Sequence, residues 1–149
     1  MPVTLYRVDR DVWDADEQVR IDLTRIYADA PEDRIQLPPG TYVTGQLERG
    51  FFWTARFNDR LLGAVAVSQG DDRWHMRDLC VRKTTRRRGV GSRLLALISA
   101  AANQEGMKLS VAASQLTLAD QMLLKRLGYQ LTRSGDDFQL DLPTGESGT

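Results

Sequence analysis

Between Arg73 and Gly106 a strand, a glycine loop and an amphipathic helix follow one another, and this run constrains the fold more than any other part of the chain. Arg73 to Arg82 alternates apolar and polar residues as a half-buried strand does. The loop Arg86-Arg87-Arg88-Gly89-Val90-Gly91 comes next, and Val90, Leu94, Leu97, Ile98 and Ala101 then recur at helical spacing up to Gly106, a C-terminal stop. The N–H groups in the first turn of a helix have no internal acceptor, and the macrodipole places partial positive charge there. An anion therefore fits. Gly89 and Gly91 lack Cβ, so a phosphate can approach the backbone closely, and Arg86, Arg87 and Arg88 can fork onto its oxygens. The alternative for the Arg run is a solvated basic turn. The chain as a whole carries 20 basic and 20 acidic residues, a net charge of zero, which argues against a nucleic-acid partner.

A length of 149 residues fits one domain with a real core, expected over residues 1–142, with Pro143 to Thr149 as a frayed tail free of apolar residues. No apolar run approaches the roughly 20 residues of a membrane span. The charged N-terminal decapeptide does not read as a leader, and the lone Cys80 suits a reducing compartment, so a cytoplasmic protein is expected.

Val3 to Val8 reads as a strand. Asp14 with Glu17 resembles a capping box for a helix carrying Val19, Leu23, Ile26 and Tyr27 on one face. Pro31 to Gly50, rich in proline and glycine, reads as a loop with one short helix. Phe51 to Phe57 and Leu61 to Ser68 form a hairpin around Asn58-Asp59-Arg60, and Gly70-Asp71-Asp72 turns into the third strand. There the apolar residues are even at Trp74 and Met76 but odd at Leu79 and Val81, which predicts a β-bulge around Arg77 to Leu79. Met107 to Ala113 is a further strand. Leu116 to Leu127 is a helix with Ala119, Leu123 and Leu127 inward, ended by Gly128, and a closing hairpin turns at Ser134-Gly135-Asp136. This order describes an α/β (α+β) fold, a mixed central sheet with helices on both faces.

Two familiar phosphate loops fail on spacing. A dinucleotide fingerprint would need a third glycine, and a P-loop would need a Lys after Gly91. What remains is [RQ]-x-x-G-x-G/A. Preceded by Asp78-Leu79-Cys80-Val81 and followed by a helix, a strand and a helix ending Leu127-Gly128-Tyr129, it resembles the GNAT (GCN5-related N-acetyltransferase) superfamily over roughly Phe51 to Leu142. The resemblance implies acetyl-CoA as cofactor. Pantetheine would lie along the backbone of Leu79, Cys80 and Val81, and the pyrophosphate on Thr85, Arg86, Arg87, Arg88, Gly89, Val90, Gly91 and Ser92. Ser92 either donates to phosphate or caps the helix. No metal is expected.

Three stretches look closer still to the PanZ (PanM) family: Arg20 to Ile26, Ala55 to Val67, and Leu79 to Gly91 with its Thr-Arg-Arg-Arg run. Members of that family are acetyl-CoA sensors that promote self-cleavage of the aspartate 1-decarboxylase zymogen of pantothenate synthesis. The likeness implies that decarboxylase as partner, with Arg56 and Asn58 at the contact. The longer Pro/Gly segment before Phe51 and the C-terminal extension depart from the family pattern.

Catalysis is the open question. Acetyl transfer needs a base for the amine and an acid for the departing thiolate. Many GNAT enzymes place a Tyr four residues before the helix-ending Gly, and here Leu124 stands there. Tyr129 reads as a core aromatic. Asp78 and His75 are the weak candidates for a base, each with a structural reading beside it, and Cys80 reads as a small core residue. Two functions remain: a PanZ-like regulator, or an N-acetyltransferase acting on an amine of a small molecule or protein.

Overall fold

Two carboxylates start the first two helices of the computed structural model, which describes residues 2–31, 33–86 and 88–142. Asp9 accepts from the N–H of Val12 and opens α1 (Arg10–Ala15). Asp16 accepts from the N–H groups of Gln18 and Val19 and opens α2 (Glu17–Ala28). The capping box expected at Asp14 is thus misplaced: Asp14 lies inside α1, paired with Arg10 at 3.3 Å, and the extended backbone of Asp16 divides the helices. On α2, Val19, Leu23, Ile26 and Tyr27 are all buried, as their spacing requires.

The segment read mostly as loop contains α3 (Pro39–Leu47), with Tyr42, Val43, Gln46 and Leu47 buried. Its prolines mark a start rather than an interruption, because the first helical position needs neither an N–H nor a φ that proline cannot adopt.

The strands are β1 (Thr4–Val8), β2 (Phe51–Phe57), β3 (Arg60–Gln69), β4 (Arg73–Val81), β5 (Lys108–Ala112), β6 (Gln130–Ser134) and β7 (Asp137–Asp141); the remaining helices are α4 (Val90–Glu105) and α5 (Leu118–Arg126). Hydrogen bonding orders the seven described strands β1-β2-β3-β4-β5-β7-β6. The β4–β5 pair is parallel, whereas β1–β2, β2–β3, β5–β7 and β6–β7 are antiparallel, so the sheet is mixed as expected.

The chain packs as two compact units. The first holds α1 to α3, β1, β2, nearly all of β3, the end of β4 and the start of α4; the second holds the start of β4, the end of α4, β5 to β7 and α5. In the first, Leu23, Ile26, Val43, Phe52, Ala64 and Ala66 are at most 1% exposed within one apolar cluster. Tyr27 packs on Tyr42 and Phe52, with ring centroids 4.9 and 5.5 Å away. Each fully buried large apolar side chain contributes on the order of 2 kcal/mol.

Phe57 pairs with Arg60, so the β2–β3 turn is the two residues Asn58 and Asp59, at φ 50° and 63°. Positive φ at both central positions is the type I′ turn that matches strand twist, and Asn and Asp tolerate it better than branched residues. Arg60, read as part of the turn, belongs to β3. The register skips Leu62 opposite Ala55 and Arg56, and the Leu62 carbonyl accepts from the Arg82 N–H at 2.9 Å.

In β4 the break expected around Arg77 to Leu79 falls at Asp78, which has φ 56°. The apolar residues do not divide as their parity suggested. Asp78 and Cys80 are buried, whereas Leu79 is 39% exposed. The even residues serve different surroundings: Trp74 and Met76 register with Leu109 and Val111 of β5, and Cys80 joins the cluster under α2.

In the second unit Thr117 and Asp120 form a capping box for α5. The face expected inward is not the buried one. Leu124 is the buried residue of α5, while Ala119, Leu123 and Leu127 are exposed. Leu118 and Met122 are exposed as well, at 72% and 56%. No helix among the described residues is long and apolar enough to cross a membrane.

Candidate functional site

The loop between β4 and α4 is built from its own turns and from the end of α2. A 3-10 turn over Lys83–Thr85 is closed by the Thr85 N–H on the Arg82 carbonyl at 2.9 Å. The Thr85 hydroxyl donates to the same carbonyl at 3.1 Å and is buried, so it serves the turn. Arg82 Nε and the Lys83 N–H both donate to Asp29 Oδ2 at 3.0 Å. The Arg86 guanidinium donates to the carbonyls of Asp29, at 2.7 Å, and Val81, at 3.3 Å. Burial pulls the Asp29 carboxyl upward, but the Lys83 and Arg82 hydrogen bonds and charges outweigh it and hold the group below its ordinary value.

Beyond Arg86 the loop opens. Arg88 and Gly89 are exposed; Arg87 lies outside the described residues. Gly89 has φ 77°, the left-handed region expected at a nest of N–H groups, and a Cβ there would meet nothing within 4 Å. The Arg93 N–H to Gly89 carbonyl bond, 2.9 Å, begins the α4 ladder. The N–H groups of Val90, Gly91 and Ser92 precede it and have no partner within the helix. Ser92 is exposed, and Val90 is buried as the first core residue of α4. The loop thus offers first-turn backbone N–H groups, a glycine and exposed basic charge, which suit an anion.

The strand residues feeding this loop divide. Leu79 is partly exposed and Val81 half-buried. Cys80 donates its thiol to the Ile26 carbonyl at 3.2 Å, and burial pushes the thiol up, against smaller opposing effects of Arg86. It holds its proton at neutral pH.

Of the weak candidates for a base, Asp78 is buried and accepts from the Tyr42 hydroxyl at 2.5 Å, while its carbonyl accepts from Tyr27 at 2.9 Å. His75 Nδ1 meets Ser110 Oγ at 2.9 Å. At the position where the GNAT resemblance implies a Tyr, Leu124 is apolar and 7% exposed. The Tyr129 hydroxyl meets Ser99 Oγ at 3.0 Å, and burial raises its phenol.

Arg56 and Asn58 belong to the hairpin, and Asn58 is exposed at its tip. The Arg56 guanidinium lies 4.5 Å from the Tyr6 ring centroid and 3.1 Å from Asp59 Oδ1, so it has a local role. The hairpin base is tied to α2 by Asp22, 1% exposed, which accepts from Arg60 Nε and Nη2, from the Leu61 N–H at 3.0 Å and from Gln18. Burial would raise the Asp22 carboxyl, but these bonds outweigh it and hold it low.

A sequence profile of the PanZ acetyltransferase (GNAT) domain matches residues 8–129 of this chain. The chain belongs to the PanZ family of GNAT domains. Among curated relatives, the PanD regulatory factor of Escherichia coli is 34% identical over 95 residues, covering 64% of this chain and 65% of the relative. That of Salmonella typhimurium is 51% identical over 43 residues, covering 29% of this chain and 34% of the relative. The matches therefore span just under two thirds of the first relative's length and about a third of the second's. Among solved structures, the solution structure of YhhK from E. coli bound to coenzyme A is 26% identical, with a TM-score of 0.61 over 95% of this chain and 99% of the other. A GNAT family acetyltransferase from Elizabethkingia anophelis with acetyl-CoA bound is 14% identical, with a TM-score of 0.62 over 93% and 95% of the two chains, and speaks for the GNAT fold alone.

The residues that sequence reasoning missed are two acceptors, Asp29 at the loop and Asp22 at the hairpin, and one donor, Tyr42, whose hydroxyl bonds Asp78. Asp22 stood in a stretch singled out for its PanZ likeness, but nothing local marked its role.

Proposed function

We propose that this PanZ-family chain is a cytoplasmic acetyl-CoA-responsive regulator that promotes maturation of aspartate 1-decarboxylase. The observation that carries the reading is the likeness to the PanD regulatory factor of E. coli, 34% over 95 residues, together with the family profile over residues 8–129. The loop supports it chemically. Gly89 at φ 77° and the first-turn N–H groups of α4 form a seat for a pyrophosphate, with Arg88 and Ser92 exposed beside it. In this reading Leu79, Cys80 and Val81 offer backbone to pantetheine, and the loop over 85–92 carries the pyrophosphate, with Thr85 and Arg86 shaping the loop through their bonds to the Arg82, Val81 and Asp29 carbonyls. Arg56 and Asn58 are the proposed contacts to the decarboxylase. Coenzyme A on YhhK supports the cofactor.

The competing reading, acetyl transfer to an amine, draws on the acetyltransferases that share the fold. It needs a base for the amine and a proton donor for the thiolate. Leu124 cannot donate, the Tyr129 hydroxyl bonds Ser99, and the base candidate Asp78 is buried and accepts from the Tyr42 hydroxyl. Positioned proton donation typically contributes about a hundredfold or more, so transfer without it would be slow.

Co-purification with the decarboxylase, with and without acetyl-CoA, combined with a thiol-release assay over an amine panel, separates the two. The regulator reading expects a complex strengthened by acetyl-CoA and negligible thiol release. By linkage the decarboxylase should then tighten acetyl-CoA by the same factor. Robust thiol release with no acetyl-CoA-dependent complex would decide for the enzyme.

A further inference from the structure

Asp29 stands where a helix least welcomes it. It is the C-cap of α2, and a carboxylate at that end opposes the helix macrodipole. Within α2 the last turn holds one basic residue, Arg25, and no α2 side chain is bonded to the Asp29 carboxylate among the described residues. The groups that satisfy it come from the β4–α4 loop: Arg82 Nε and the Lys83 N–H on Oδ2, and the Arg86 guanidinium on the Asp29 carbonyl. One residue thus takes three bonds from three loop positions, two of them on one carboxylate oxygen. Arg86 fits the same place for the opposite reason, since a cation at a helix C-terminus is favoured. Its guanidinium donates to the carbonyls of Asp29 and Val81, so those donors are committed to the protein although the residue is exposed.

We propose that Asp29 is a positioning residue for the cofactor loop: it fixes Arg82, Lys83 and Arg86 on the end of α2, and so holds Gly89 and the first turn of α4 in the arrangement that receives a pyrophosphate. Arg86 acts with it as the loop's second anchor, leaving Arg88 and the backbone N–H groups to meet the phosphates. The inference rests on the acetyl-CoA reading above and adds a residue outside the loop to it. The closure is geometric. Tethering at Lys83 and Arg86 brackets the 3-10 turn, and two residues separate Arg86 from Gly89, so slack at Asp29 would reach the glycine directly. A preorganised loop binds more tightly because its ordering does not have to occur on binding.

The test compares Asp29→Ala and Asp29→Asn with the wild type, using acetyl-CoA and, as a probe lacking the pyrophosphate, S-acetylpantetheine. Asp29→Ala should weaken acetyl-CoA by roughly tenfold or more, the scale of lost hydrogen bonds to a charged group. Asp29→Asn, which keeps a side-chain acceptor, should lose less, and S-acetylpantetheine affinity should not change. Amide exchange at Lys83 should quicken in Asp29→Ala while Leu94 and Ile98 keep their protection, a sign that the fold persists. Arg86→Lys gives a second route: it keeps the charge but loses the fork, so it should also weaken acetyl-CoA, with the salt dependence of binding unaltered. Wild-type acetyl-CoA affinity in both Asp29 variants would overturn the proposal, as would equal losses for the two ligands. A wild type that binds no acetyl-CoA, with Lys83 exchange still quickened in Asp29→Ala, would instead remove the cofactor reading and reduce Asp29 to a loop anchor.

Discussion

At Gly89 the backbone takes φ 77° with open space where a side chain would go. A Gly89→Val protein should therefore fold, destabilised by about 1–2 kcal/mol from the left-handed backbone, yet its branched side chain would fill the seat offered to phosphate. Calorimetry should show acetyl-CoA affinity reduced by more than about tenfold; a folded variant that binds normally would remove the phosphate-loop assignment. Asn58, at φ 50°, separates turn from contact. Asn58→Gly should leave thermal stability within about 0.5 kcal/mol, because the easier turn geometry offsets the larger entropy of the unfolded chain. Any loss of decarboxylase binding then reports the amide side chain itself, and unimpaired binding would move the contact elsewhere. The positive φ of Gly89 was legible because a glycine just before an amphipathic helix is where the chain can turn through the left-handed region. Asp29 was not, since its partners lie 53 to 57 positions further along the chain and no local pattern couples them.

Among the elements, α2 carries an acid at each of two attachment points, and Asp22 ties it to the hairpin through Arg60 and Leu61. Asp22→Asn keeps the shape but loses the charge-assisted bonds, which should lower stability by about 2 kcal/mol at neutral pH. The Asp22 carboxyl is held below its ordinary value in the fold. Its contribution is therefore complete above the unfolded carboxyl value, about 3.9, and declines as pH falls toward the folded value. Urea unfolding should show the gap between wild type and Asp22→Asn closing below about pH 4; a gap independent of pH would mean that the Arg60 pair is not its source. The helices with a strong period, α2 and α4, could be read directly. One short helix was expected before β2, but the bounds of α3 could not be read, because prolines that begin a helix look like prolines that prevent one. In α5, Leu123 and Leu127 make as good a helical stripe as any, yet the fold buries Leu124. Which stripe faces inward was decided by the partners of the helix, and its own pattern is silent about them.

Over the whole molecule, the order of elements and the mixed sheet followed from hydrophobic periodicity and turn residues, while strand neighbours such as β5–β7 depend on pairings that no local window contains. The family profile stops at residue 129, so β6 and β7 complete the sheet beyond the part that the profile covers. The exposed face of α5 bears on how the protein behaves at high concentration. Leu118, Met122, Leu123 and Leu127 are each more than 40% exposed on or just after that helix, and formal net charge is zero, so charge repulsion between copies is weak near neutral pH. Clouding on concentration should accordingly be worst near neutrality. Leu118→Lys with Met122→Lys, which leaves Leu124 in place, should raise the protein concentration at which light scattering first climbs, with the melting temperature unmoved. If scattering is indifferent to these changes, the patch is inert; if it responds, the least soluble feature of the molecule is a single short helix far along the chain from the loop and the hairpin.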